Sequence, residues 1–170
     1  MDSAGILQTI AEVAVGLAGF GGIAAGIGYR ARGTWSGQDR TRFMGMILSS
    51  LFVVFACLVP YALHHLGAQQ PWLLSSIPLM LAPAWVFFIQ SRQVFGWTRP
   101  GGIYVRRGFN PSFAVILLVV NLLTLFLLLS LVFGVFVADR AFGIYLTAVL
   151  LLLLLSAANF VRLLTTSFGE

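Results

Sequence analysis

The sequence predicts an all-α fold: a polytopic bundle of transmembrane helices forming a single domain over residues 1–170, with no soluble domain. Three observations carry that prediction. Hydrophobic residues make up 59% of the chain and charged residues 9%, whereas a soluble domain carries about 25% charged residues to cover its surface. Five apolar stretches reach or approach the roughly 20 residues that a helix needs to cross a hydrocarbon core. The arginines are concentrated on alternate connections between those stretches, as the positive-inside rule requires.

The first span is expected at 6–28. Its stretch from Glu12 to Gly28 has Gly or Ala at almost every other position, and Ala14, Ala18, Gly22 and Gly26 recur every fourth residue. On a helix that spacing makes a smooth strip where another backbone can come close. Side chains this small leave lipid little to contact, so the helix is expected in the interior. Met1-Asp2-Ser3 lacks the basic n-region of a signal peptide, and the first helix is therefore expected to be retained. A polar segment with Arg30, Arg32, Asp39, Arg40 and Arg42 follows, Asp39 being well placed near a helix N-terminus.

The second span, 43–66, carries Ser49, Ser50, Cys57 and Pro60, and the proline frees a backbone carbonyl one turn earlier. A Gly-Ala-Gln-Gln-Pro turn leads into the third, 72–90, where Pro78 and Pro83 predict a bend. The polar segment 91–112 has two β-prone runs around Pro100-Gly101-Gly102. It reads either as a small hairpin or as an irregular loop whose aromatics enter the membrane interface. Its Arg92, Arg99, Arg106 and Arg107 form a basic surface suited to anionic head groups. The fourth span, 113–137, and the fifth, 142–164, are leucine-rich and joined by a tight turn. Apolar bulk on every face marks both as peripheral, lipid-facing helices. Asn121, Thr124, Ser156 and Asn159 within them are expected to bond neighbouring helices.

All ten basic residues are arginine. With five spans, Arg30, Arg32, Arg40, Arg42, Arg92, Arg99, Arg106, Arg107 and Arg162 share one side, and Arg140 is alone on the other. That asymmetry puts the N-terminus outside and the C-terminus in the cytoplasm. A four-span arrangement with the first helix on the membrane surface is the alternative. The net charge of +5 thus belongs to the membrane surface, and no nucleic-acid partner is expected.

Glu12 is the first candidate for function, because a charge at the membrane centre costs about 2.5–3.5 kcal/mol and is kept for a reason. The alternative is an interfacial position, since Gln8 and Thr9 precede it. His64 and His65 close the second span on the side where Glu12 lies, and with Glu12 make a candidate pore, proton or cation site. Adjacent helical residues diverge by about 100°, so the two histidines are poor joint ligands and no metal site is expected. No phosphate-binding loop, CxxC, nucleophile elbow or cofactor motif occurs, so neither a cofactor nor catalytic residues are expected. Cys57 has no partner for a disulfide.

The string AEVAVGLAGFGGI at 11–23, followed by W-x-x-x-D-R-x-R at Trp35, Asp39, Arg40 and Arg42, resembles uncharacterised small integral membrane proteins of bacterial genomes. The resemblance covers roughly the first half of the chain and implies a bacterial source; the expected location is the bacterial inner membrane. The leading functional expectation is a homo-oligomeric channel or pore-forming membrane effector, with the first helix near the symmetry axis. A scaffolding or binding subunit of a larger membrane complex, with a membrane or cytoplasmic protein partner, is the alternative. A small transporter or intramembrane enzyme ranks third.

Overall fold

The computed structural model describes residues 3–32, 37–81, 83–84, 88, 111–135 and 140–168. Among them are five helices and no strand: α1 (Ser3–Arg32), α2 (Gly37–His65), α3 (Pro71–Leu79), α4 (Pro111–Val132) and α5 (Ala141–Phe168). Four contain a stretch long and apolar enough to cross a membrane: Ser3–Ile27, Phe43–His65, Val115–Val132 and Ala141–Val161. This is the architecture of a multi-pass helical membrane protein, and the four stretches coincide with four of the expected spans. Within the expected third span, α3 supplies nine residues, and helical bonding continues with the Ala84 N–H donating to the Met80 carbonyl. The segment 91–112, with its expected hairpin or loop and Arg92, Arg99, Arg106 and Arg107, lies outside the described residues apart from the first residues of α4.

Two glycines end helices in the same way. Gly67 (φ +83°) and Gly134 (φ +63°) adopt the left-handed conformation that costs glycine least. At the end of α2, the Ala68 N–H donates to the Leu63 carbonyl and the Gly67 N–H to that of His64. At the end of α4, Val135 donates to Ser130 and Gly134 to Leu131. Both are Schellman closures, satisfying carbonyls that would otherwise be orphaned near the membrane boundary. Pro71 then opens α3, where its missing N–H costs nothing.

The centre of the bundle is α5. It packs against α1, α2, α3 and α4, while α1 packs on α2 and α5. The expectation that the last, leucine-rich helix is peripheral is therefore corrected. Its buried residues Tyr145, Ala148, Val149, Leu152, Leu155 and Ser156 form one stripe at helical spacing. Small and polar members of that stripe admit neighbouring backbones while the leucines fill the gaps. Leu150 and Leu154, on other faces, remain exposed.

Several polar groups in the interior, among the described residues, are bonded within the chain. The Ser50 and Ser156 hydroxyls meet at 2.6 Å across the α2–α5 seam. Further along the same seam, the Tyr145 hydroxyl donates to the Ala56 carbonyl at 2.6 Å. That carbonyl is the one Pro60 leaves without a helical donor, so the phenol replaces the missing backbone bond. In α4, the Asn121 amide donates to the Leu117 carbonyl and Thr124 to that of Val120, both on their own helix.

Candidate functional site

Helix α1 carries two seams on opposite faces, each with the 3.5-residue spacing of packed helices. Leu7, Ile10, Ala14 and Gly21 are buried on the inward one, with Ala24 and Ala25 beside them. The Met46 thioether of α2 lies over Gly21, where an added methyl group would collide with it. Glycine at this position is what lets the two helices close.

The outward seam runs through Gly5, Gln8, Glu12, Val15, Gly19, Gly22 and Gly26, spaced alternately three and four residues apart, and all seven are exposed. Methyl groups built on Gly5, Gly19, Gly22 or Gly26 would meet nothing within 4 Å. Phe20 and Ile23 flank the seam at 67% and 61% exposure. The result is an exposed, glycine-rich apolar face with one polar pair on it.

That pair is Gln8 and Glu12. One turn apart, they are joined by a hydrogen bond from Gln8 Nε2 to Glu12 Oε1 at 3.0 Å. Depth follows from register. Gly21 faces Met46; Glu12 is nine residues before the one and Phe55 nine residues after the other, on antiparallel helices, so Glu12 lies about level with Phe55. Phe55 is near the middle of the apolar stretch Phe43–His65, and Glu12 is three residues from the middle of Ser3–Ile27. Glu12 thus lies near the middle of the apolar stretch of α1, and the preceding Gln8 and Thr9 belong to the same helix.

His64 and His65 stand elsewhere. Both are exposed at the end of α2, His65 edge-on to Tyr61 at 4.4 Å between ring centres and His64 at 6.0 Å from His65. Nine residues separate the level of Phe55 from His64, about 13 Å along the axis at 1.5 Å per residue. The structure thus brings Glu12 to Gln8 and leaves the histidines at the end of the bundle. Among the described residues no three His, Cys, Asp or Glu side chains come together.

The every-fourth strip is divided between the two faces. Ala14 is buried, Ala18 half-buried, and Gly22 and Gly26 exposed. Four residues advance a helix by 400°, so such a strip drifts about 40° at each step. It starts against α2 and ends facing outward.

Gln8 and Tyr145 are the residues whose parts are plainest in the structure and least so in the sequence. Gln8 is marked by its position one turn before Glu12, and Tyr145 by being a phenol inside a leucine-rich span. The chain matches no protein-family model, no curated protein and no solved structure.

Proposed function

We propose that this chain is a small integral membrane protein that assembles with copies of itself through the outward seam of α1, forming a channel or pore-forming assembly with Glu12 beside its axis. The reading rests on the Gln8–Glu12 pair, exposed near the middle of the apolar stretch of α1 on a glycine-rich face. A carboxylate facing hydrocarbon there costs about 2.5–3.5 kcal/mol, a cost removed when copies gather and enclose the pair with water. Glycines at the seam allow backbones to approach closely, and a polar residue within a seam fixes its register. Symmetry multiplies Glu12 into an acidic ring, which favours cations over anions.

The orientation follows the arginines, with the N-terminus outside and the C-terminus in the cytoplasm of a bacterial inner membrane. The basic residues Arg92, Arg99, Arg106 and Arg107 then lie toward anionic lipid. A scaffolding subunit is the second reading, favoured by the same glycine-rich face if a helix of another membrane protein covers it. A chain that stays monomeric when purified without a partner supports that second reading.

Cation flux through liposomes holding the wild-type chain or Glu12→Gln tests the first. The expected result is a cation-selective flux that loses its selectivity in the variant. Flux that is equal in the two proteins and indifferent to ion charge would contradict the acidic ring.

A further inference from the structure

The end of α2 carries the chain's two histidines side by side. His64 and His65 are both exposed, and the apolar stretch Phe43–His65 ends with them, so both rings are open to a dissolved ion. On a regular helix, neighbouring side chains leave the axis about 100° apart, which counts against their sharing a ligand. The two imidazoles nonetheless stand with ring centres 6.0 Å apart and planes inclined at 67°.

That separation suits a shared metal ion. Late first-row transition metals take imidazole nitrogen readily and bond it at about 2.0–2.1 Å. With about 1.1 Å from nitrogen to ring centre, two rings on one ion have centres about 4.5–6.3 Å apart, as the angle at the metal widens from about 90° to 180°. The observed 6.0 Å lies inside that interval, so the pair needs a turn of its exposed side chains and no movement of the backbone. The backbone is fixed here, because Leu66, Gly67 and Ala68 donate their N–H groups to the carbonyls of Ala62, His64 and Leu63. Tyr61, one turn before His65, meets its ring edge-on at 4.4 Å between ring centres and limits its swing. Ligands restrained in this way lose less freedom on binding.

We infer that His64 and His65 together form a two-imidazole site for a divalent transition-metal ion, with water completing its coordination. Each neutral ring offers one unprotonated nitrogen. No third His, Cys, Asp or Glu joins them among the described residues, so Mg2+ and Ca2+, which take oxygen ligands, are disfavoured. Affinity for an imidazole pair follows the divalent series, with Cu2+ ahead of Ni2+ and Zn2+. The site stands about 13 Å along the helix axis from the level of Glu12. Its ligands belong to one chain, so it fills whether or not copies assemble through α1.

Titration of the full chain with Cu2+, free of any affinity tag and in detergent micelles, tests the pair by calorimetry and electron paramagnetic resonance. The expected result is one ion per chain, two nitrogen donors in the resonance spectrum, and no competition from Mg2+. His64→Gln and His65→Gln each weaken binding about a hundredfold, as when one of two linked contacts is lost, and each leaves a single nitrogen donor. Both positions are exposed, so the variants keep the fold. Three results overturn the site: no uptake of Cu2+ by the wild type, affinity unchanged by either substitution, or one ion per two chains, which draws the ligands from two copies.

Discussion

The α2–α5 seam and the outward seam of α1 both place polar groups within apolar helical stretches, and they treat them in opposite ways. On the first, Ser50, Ser156 and Tyr145 are buried and find partners across the helix pair. On the second, Gln8 and Glu12 are exposed and bond only along their own helix. The same contrast holds for glycine. Gly21 is closed over by Met46, whereas Gly19, two residues away, faces open space. One seam is complete within a single chain. The other has the shape and chemistry of a seam without the second helix that would complete it.

That contrast predicts a graded series of effects on the single chain, measured by unfolding in a detergent that keeps it monomeric. Tyr145→Ala removes a fully buried ring and the donor to Ala56, and is expected to cost the most, about 3–5 kcal/mol. Gly21→Leu drives a side chain into the Met46 thioether and should destabilise by about 1–3 kcal/mol through overpacking between α1 and α2. Ser50→Ala deletes one interhelical hydroxyl and should cost about 0.6 kcal/mol, the usual worth of such a bond in a membrane. A Gly21→Leu protein as stable as the wild type would show that α1 does not depend on its inward seam. Equal losses for Tyr145→Ala and Ser50→Ala would show that the proline-freed carbonyl has no special need of its donor.

Much of this arrangement is legible in the residues. Apolar length alone locates α1, α2, α4 and α5, and Gly67 and Gly134 stand at the ends of their stretches, where the chain must reverse its curl. Pro60 announces a carbonyl in need of a donor, although nothing local to it says that Tyr145, 85 residues further on, supplies one. Position within the bundle is harder to read. A helix apolar on all sides gives no amphipathic signal, so α5 looks like a lipid-facing helix until Tyr145, Ala148 and Ser156 are seen to share one face. In α1, small residues occur on both faces, and an every-fourth pattern drifts from one to the other. Only the 3.5-residue spacing separates the two seams. Glu12 stands out from composition alone, while its direction depends on which seam meets α2.

The smallest effect on the single chain belongs to Gly19→Leu. A Cβ at this exposed position meets nothing within 4 Å, so unfolding is expected to change by less than about 0.5 kcal/mol. In the assembly it would stand in the way of the neighbouring helix. Oligomeric state in lipid nanodiscs, compared between the wild type and Gly19→Leu, is therefore the most direct test of self-association through the outward seam. The expected result is a closed oligomer for the wild type and a monomer for the variant, with both chains equally stable. A monomeric wild type, or a Gly19→Leu protein with wild-type stoichiometry, would contradict it.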